Sequence, residues 1–500
     1  MKELLIGLDI GTSSVKAALF GRNGQLLEHS AVPISVYTPH PGWVEQDPGE
    51  WWQASARVLR QLMAQNDPAR VIAIGLSGQC PGHVLVGSNH LAVGRAIIWQ
   101  DQRAEKEAKW LAENVPADKA RDWIGTVSLG DATCPPARLL WLKDNHPQEW
   151  EQALAVIQPK DYIALQLTGV IATDRYSAYC LGNVDTGTYA HDYFDLLGIP
   201  VNKMPEMLMP TQVVGNLTSN ASDDTGLPKG TPVVIGTIDA YCDNLAGGIA
   251  SPGRAVDVAG TSEILSLAVL KRVMGQGVFP VSMGEEVTFL CGPTQSGGDT
   301  LRWLSECFFP EAVGSIPYEK LEQEAASAPA GSDGLIFLPY LNGERAPLWD
   351  AGAKAGFLGL SYQHGRRHFC RAVYESVGYA IRHILEACEE AAGETAAELV
   401  ICGGGSRSNF WNQLKADILQ LPVKPTAVTE TGCLGAAILA SVGCGIYPDH
   451  KYASEKMILF KTILQPEKGT AEVYEQGYQA YRRAYPALKN IFPIGKGRED

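Results

Sequence analysis

The sequence has no CxxC pair and no Cys/His group at metal-ligand spacing, although 11 cysteines are scattered through its 500 residues. A disulfide framework or zinc site of recognisable spacing is therefore not expected, and the cysteines read as buried thiols in a reducing cytoplasm. No apolar run approaches the ~18 residues of a membrane-spanning helix. The chain enters an apolar stretch at once, without the basic-then-apolar pattern of a secretory leader. The expectation is a cytoplasmic protein with no membrane partner. Positive charge is in short supply, with Lys+Arg at 41 against Asp+Glu at 55 and a net charge of −14, which argues against a nucleic-acid partner. Two nucleotide motifs are missing as well. No GxxxxGK[ST] occurs and no GxGxxG opens a first βα unit, so a P-loop enzyme and a Rossmann dinucleotide site are excluded.

What is present is ordinary globular composition, 45% hydrophobic, in a length that suggests two or more domains. The most informative stretch runs from Leu4 to Phe20. Asp9 stands inside apolar sequence, Gly11-Thr12-Ser13-Ser14 follows, and apolar residues return from Val15. This predicts a hairpin whose tip exposes backbone N–H groups and hydroxyls, with Lys16 adding positive charge, a combination that can hold a phosphate. An ordinary hairpin with a polar tip carries the same residues. An imperfect echo begins at Ala255, where Asp257 precedes Gly260-Thr261-Ser262 and another apolar run. Two such hairpins, one opening each half, suggest a duplicated α/β pair gripping nucleotide phosphates. The spacing Ser13-x-x-Lys16 also occurs in serine hydrolases, but the partner motifs S-D-N and K-T-G are missing.

Asp47-Pro48-Gly49-Glu50 predicts a helix start. The apolar run from Val71 predicts a strand that ends in Ser77-Gly78-Gln79-Cys80-Pro81-Gly82. A second apolar segment ends in Trp99-Gln100-Asp101. Loops at the carboxyl ends of strands are where ligands sit in open α/β sheets, although either loop alone also fits a plain connection. Val233 to Gly236 predicts a strand, followed by Asp239 and, four residues on, Asp243. The domain boundary falls near 247–253. Further on, Gly297-Gly298 precedes a helix expected at 299–308, a long helix is expected at about 366–392, and Gly403-Gly404-Gly405 opens a helix after a strand. Tyr474, Tyr478, Tyr481 and Tyr485 recur at helical spacing and predict a packed face.

Together these residues resemble the FGGY-type carbohydrate kinases, the group of glycerol kinase, xylulokinase and ribulokinase. The resemblance runs from Leu4 to about Gly445. Its most specific piece is Ala355-Gly356-Phe357-Leu358-Gly359-Leu360, then His368-Phe369 and Ala372-Val373-Tyr374-Glu375. The Asp9 and Thr261 turns, the loop at 343–347 and the loop at 403–409 also match. Two places depart from the family. Arg138 stands where a Lys is usual, and Gln79-Cys80-Pro81-Gly82 stands where xylulokinase-like members read Gln-Met-His-Gly. The Arg-Glu pair of glycerol kinases is absent from that region too.

The resemblance implies an α/β fold of two duplicated ribonuclease-H-like domains of the actin/hexokinase/Hsp70 type, with a nucleotide and sugar cleft between them. Residues 1–248 would form the sugar- and phosphate-binding domain, and 249–500 the adenosine- and phosphate-binding domain with a helical tail. The implied activity is ATP-dependent phosphorylation of a ketose or polyol hydroxyl, with Asp239 as catalytic base and Asp243 as the rival carboxylate. Asp9 would sit near Mg²⁺, through water. Thr12, Ser13, Ser14, Lys16 and Thr261 would face the phosphates, and Gly298, Gly404, Gly405 and Asn409 would border the adenosine. Gln79, Cys80, Trp99, Asp101 and Asp239 would line the sugar pocket. A homodimer or homotetramer is implied. A non-turning-over sugar or nucleotide sensor and an ATP-driven chaperone or filament protein are the alternatives on the same fold.

Overall fold

The computed structural model describes residues 3–125, 129–283, 287–309 and 316–492. The chain divides into two compact units, Met1–Ala246 with Glu430–Met457, and Gly247–Thr429 with Ile458–Asp500.

The first unit is built on a six-stranded sheet. Its strands are β1 (Leu4–Ile10), β2 (Ser14–Gly21), β3 (Leu26–Pro33), β4 (Val71–Gly78), β5 (Val213–Asn216) and β6 (Pro232–Ile238), in the order β5-β6-β4-β1-β2-β3. The β1–β2 hairpin pairs Asp9 with Lys16, and its tip closes by a Gly11 N–H donating to the Ser14 carbonyl at 3.1 Å. β1, β4 and β6 run parallel, so Asp9, Ser77 and Thr237 lie level at their carboxyl ends. Every residue of β1 is buried, which explains why all but Asp9 are apolar: a strand covered on both faces has no solvent-facing side. Helix α1 (Pro48–Met63) starts where its Asp-Pro signal places it, with the Asp47 carboxylate accepting from Gly49 N–H. It buries Trp51 and Leu59 against the sheet core. Helices α2 (Pro135–Asn145) and α3 (Pro159–Thr168) follow, and α4 (Asp239–Ala246) leaves the end of β6 directly.

The second unit repeats the plan. Its strands are β7 (Arg254–Ala259), β8 (Glu263–Ala268), β9 (Phe279–Met283), β10 (Val287–Pro293), β11 (Glu398–Cys402) and β12 (Val423–Pro425), in the order β9-β10-β8-β7-β11-β12. The β7–β8 hairpin is antiparallel and β7 pairs in parallel with β11, as β1 does with β2 and β4. Helices α5 (Asp299–Phe308), α6 (Arg366–Ala392) and α7 (Asn409–Leu419) lie where glycine punctuation and apolar spacing put them.

A helix from the late part of the chain, α8 (Thr431–Gly443), belongs to the first unit, whereas the sequence alone places everything after 249 in the second. The cause is steric. A Cβ on Gly7 would lie 1.8 Å from the Cys433 carbonyl oxygen, and one on Gly75 would lie 2.0 Å from that of Ala436. Two side-chain-free positions on adjacent strands let the helix backbone bed directly on the sheet. The tyrosine stripe lies on α9 (Ala471–Leu488), and all four tyrosines are buried. Among the described residues no helix is long and apolar enough to cross a membrane.

Candidate active site

Three carboxylates converge in the first unit. Asp9 ends β1, and Asp239 and Asp243 lie one turn apart on α4. The entry to α4 is shaped by Gly236, whose φ of +65° and close approach to the Leu76 carbonyl oxygen no other residue would tolerate. It coincides with a register shift between β6 and β4 that re-aims Thr237 and the start of α4. Asp9 is buried and accepts from Ser77 Oγ at 2.8 Å. Burial raises its pKa, with Lys16 and Ser77 opposing. Asp239 is half-buried, and its carboxylate accepts from Ala240 N–H at 2.7 Å. Burial, then the charges of Asp9 and Asp243, push it up to about 8. Asp243 is pushed to about 7 by burial and Asp9, against a 2.6 Å hydrogen bond donated by Thr431 Oγ1. Crowded carboxylates of this kind resist ionising together, and the one that keeps solvent access becomes a proton acceptor of useful strength.

Helix α8 completes this cluster. Thr431 holds Asp243, and a Cβ on Gly432 would sit 3.0–3.2 Å from the Asp9 carboxyl group. The helix N-terminus, the positive end of its dipole, therefore approaches the carboxylates. Neither Thr431 nor Gly432 is among the residues singled out from the sequence. The available signal was Gly432-x-x-Gly435 in a helix of small apolar residues, since Gly435 lies against the Cys242 carbonyl in the same way.

The two candidate sugar loops meet at the hairpin tip. Trp99 Nε1 donates to Thr12 Oγ1 at 2.9 Å, and Thr12 Oγ1 donates to Gln79 Oε1 at 3.3 Å. Buried Gln46, also missed in the sequence, ties them together by donating to the Thr12 carbonyl and accepting from Gln79 Nε2, both at 2.7 Å. Thr12 is thus engaged by the sugar loops, while Ser13 is left exposed at the tip. Cys80 is half-buried, and its thiol, held well above its usual pKa by burial and by Asp174, faces the Ser177 carbonyl at 3.9 Å. Trp99 is 41% exposed.

Asp101 is placed differently from expectation. It is fully buried, and its oxygens accept from Val44 N–H at 2.6 Å and from Arg103 at 2.7–3.0 Å. With its lone pairs spent inside the protein, it shapes its loop and has no acceptor left for a sugar. Beneath the other loop, buried Lys160 pairs with Asp161 at 2.5 Å and Asp174 at 2.8 Å. Asp174 accepts from Thr237 Oγ1 at 2.8 Å, and Gln158 Oε1, beside Asp161, accepts from Gly82 N–H at 2.7 Å. This polar knot joins the 79–82 loop to the strand that delivers Asp239.

In the second unit the expected nucleotide residues gather at the end of β7. The Gly297 and Asp299 N–H groups donate to the Thr261 carbonyl, and Gly298 N–H to that of Gly260. A Cβ on Gly405 would meet that of Ala259 at 2.4 Å, so the 403–405 loop lies against the same strand end. Thr261, Gly404 and Asn409 are exposed there, with Asn409 opening α7. The 343–347 loop braces this region: Glu344 accepts from Gln295 N–H at 2.6 Å and Arg345 Nε donates to the Thr294 carbonyl at 3.0 Å. Asp257, the echo of Asp9, is instead fully buried on Lys415 at 2.6 Å. The 355–375 signature has a packing role. Glu375 accepts from Gly331 N–H at 2.9 Å and from Ser332, and His368 pairs with Asp333, holding a turn in which Gly331, Ser332 and Asp333 all have positive φ.

Comparison with known proteins identifies the family. The FGGY family of carbohydrate kinases matches at residues 4–246 with its N-terminal domain and at 256–444 with its C-terminal domain. The chain is similar to a xylulose kinase of Staphylococcus epidermidis, at 30% identity over 500 residues and 98% of each chain. It is equally similar to an L-xylulose/3-keto-L-gulonate kinase of Escherichia coli, at 30% identity over 504 residues and 98% of each. Among solved structures, a gluconate kinase from Lactobacillus acidophilus superposes with a TM-score of 0.87 at 25% identity, over 98% of this chain and 99% of that one. Two matched domains in order, and full-length relatives with the same two-domain α/β fold, establish the assignment: the chain belongs to the FGGY family of carbohydrate kinases, enzymes that transfer a phosphoryl group to a sugar.

Proposed function

We propose that the chain transfers the γ-phosphoryl group of ATP to a hydroxyl of a small ketose or polyol, with Asp239 as general base. The place of Asp239 carries the reading: a half-buried carboxylate at a strand's end, its proton affinity raised by burial and then by Asp9 and Asp243. A sugar hydroxyl is a weak nucleophile at neutral pH and must lose its proton as the phosphoryl group arrives. Asp243 suits the role less well, because it lies a turn further from the strand's end and one of its oxygens accepts from Thr431 Oγ1. Gln79, Cys80 and Trp99 border the acceptor. Thr12, Ser13, Ser14 and Lys16 in the first unit, and Thr261, Gly298, Gly404, Gly405 and Asn409 in the second, serve the nucleotide.

The carboxylate cluster fits Mg²⁺ held through water. Burial first, and for Asp239 and Asp243 the neighbouring carboxylates as well, raises the proton affinity of each member, yet among the described residues no three His, Cys, Asp or Glu form a direct cage. Asp9 would hold the ion through water, and the ion would supply positive charge to the phosphate oxygens. The 11 free cysteines fit a reducing cytoplasm.

Two expected outcomes test this reading. A base must be ionised to act, so kcat/KM for the acceptor should fall about tenfold per pH unit below the pKa of Asp239. Asp243→Asn removes a like charge, favours the Asp239 carboxylate and should move that acid limb to lower pH. Paired pH–rate profiles measure this, and an unmoved limb would separate the two groups. The second outcome concerns the acceptor. Relatives at similar identity carry different substrate names, so the loop has to decide. Pro81 has no N–H and Cys80 faces a carbonyl, so neither of these two positions offers an imidazole-like donor. In a screen of pentuloses, hexuloses and pentitols by ADP release, some acceptor should outperform D-xylulose by tenfold or more. D-xylulose as the best acceptor would refute this reading of the loop.

A further inference from the structure

Arg138 lies in the first turn of α2, has no exposed surface, and makes no ion pair among the described residues. Its guanidinium is spent on backbone carbonyls of two separate loops. Nη1 donates to Pro81 at 3.2 Å, and Nη2 donates to Trp99 at 2.7 Å and Asp101 at 3.1 Å. Its Nε, also buried, has no hydrogen-bond partner among the described residues. Burying a guanidinium without a carboxylate in direct contact is costly, so this arrangement is a poor way to gain stability alone. What it provides is geometry. A rigid planar fork fixes the separation and tilt of its acceptors, which a lysine ammonium on a flexible stem does not.

The two loops are fixed individually by other groups. Gln158 holds Gly82 N–H on one side, and Arg103 and Val44 hold the Asp101 carboxylate on the other. Thr12 joins the two loops through the Gln79 and Trp99 side chains, whereas Arg138, alone among these groups, joins them through their backbone carbonyls. It does so from behind: the Trp99 carbonyl is bound while the Trp99 ring remains 41% exposed.

We propose that Arg138 is a positioning residue for acceptor specificity, setting the distance between Trp99 and the Cys80-Pro81 segment without touching the sugar. The inference rests on the sugar-kinase reading above, in which these loops border the acceptor. It adds that the width of the acceptor site is set one layer behind the residues that line it.

The test compares the full-length parent with Arg138→Lys, using the best acceptor of the screen and a panel of its epimers. Failure of the sugar-kinase reading shows in the parent alone, as no acceptor-dependent ADP release. Failure of this inference shows only in the comparison. Arg138→Lys should raise acceptor KM at least tenfold and flatten the preference among epimers at least threefold. ATP KM should stay within twofold and the melting temperature within a few degrees. An acceptor KM within twofold of the parent would overturn the inference. So would a parallel rise of acceptor and ATP KM with a lowered melting temperature, which marks a merely structural residue. If Arg138→Lys does not fold, Arg138→Gln is assayed the same way, and loss of the fold in both would likewise overturn it.

Discussion

Asp239→Asn should lower turnover by about 10²–10⁴-fold while leaving acceptor and Mg·ATP binding in place. The substitution keeps size and the hydrogen bond from Ala240 N–H, but an amide cannot accept the proton. Its effect on stability should have the opposite sign to its effect on rate. The Asp239 pKa rises from an ordinary 3.8 to about 8 in the fold, so the folded state binds that proton more tightly than the unfolded chain. The resulting stabilisation is complete below about pH 4 and is lost as pH rises through about 8. Asparagine removes the penalty of the buried charge, so the melting temperature of the variant should gain on the parent between pH 6 and pH 8.5. A helix-capping role would give the reverse, lowered melting at normal turnover. Asp243→Asn, made in parallel, should keep much more activity. A dead Asp243→Asn beside an active Asp239→Asn would pass the base to Asp243.

Lys415→Met should destabilise the second unit by about 3–5 kcal/mol, because it strands two buried carboxylates. Lys415 Nζ lies 2.6 Å from Asp257 and 2.9 Å from both oxygens of Glu263, and all three side chains are essentially unexposed. Burial opposes the lysine's charge, yet the two carboxylates outweigh it and raise its pKa. Burial, then Asp257, pushes Glu263 up to about 8 even with the lysine present. Without it Glu263 holds its proton more tightly still, so the deficit should be largest above pH 8 and shrink toward pH 5 as Glu263 becomes neutral. Hydrogen exchange in β7 and β8 reads the second unit without averaging over the first. Lys424→Met is the control: its pair with Glu398 is partly exposed and should cost less than about 1 kcal/mol. Equal losses in the two variants would mean the buried cluster contributes no more than a surface pair.

Much of the site could be read from local sequence because its chemistry departs from its surroundings. Asp9 inside an apolar strand, Asp239 directly after one, and glycine runs before helices are anomalies that a period-2 or period-3.6 pattern makes visible. What escaped depends on residues far apart in the chain. Thr431 reaches Asp243 across 188 positions, and nothing in the local string around 431 marks it as polar machinery. Asp101 looks like any carboxylate at a loop, and only its saturation by Arg103 and Val44 shows it to be a brace. Thr12, a hairpin-tip hydroxyl in sequence, is engaged by an indole 87 positions on. The 355–375 segment is a strong family marker, and its Glu375 and His368 hold the left-handed turn at 331–333 by hydrogen bonds that nothing in the local string announces.

Whether Asp239 drives phosphoryl transfer to a sugar is decided by a single-turnover experiment with γ-labelled ATP, Mg²⁺ and the best acceptor. Label should move to the sugar in the parent, and in Asp239→Asn it should stay in ATP although both ligands remain bound. Label appearing as inorganic phosphate at the same rate with or without the acceptor, or moving to the sugar as fast in Asp239→Asn as in the parent, would contradict it.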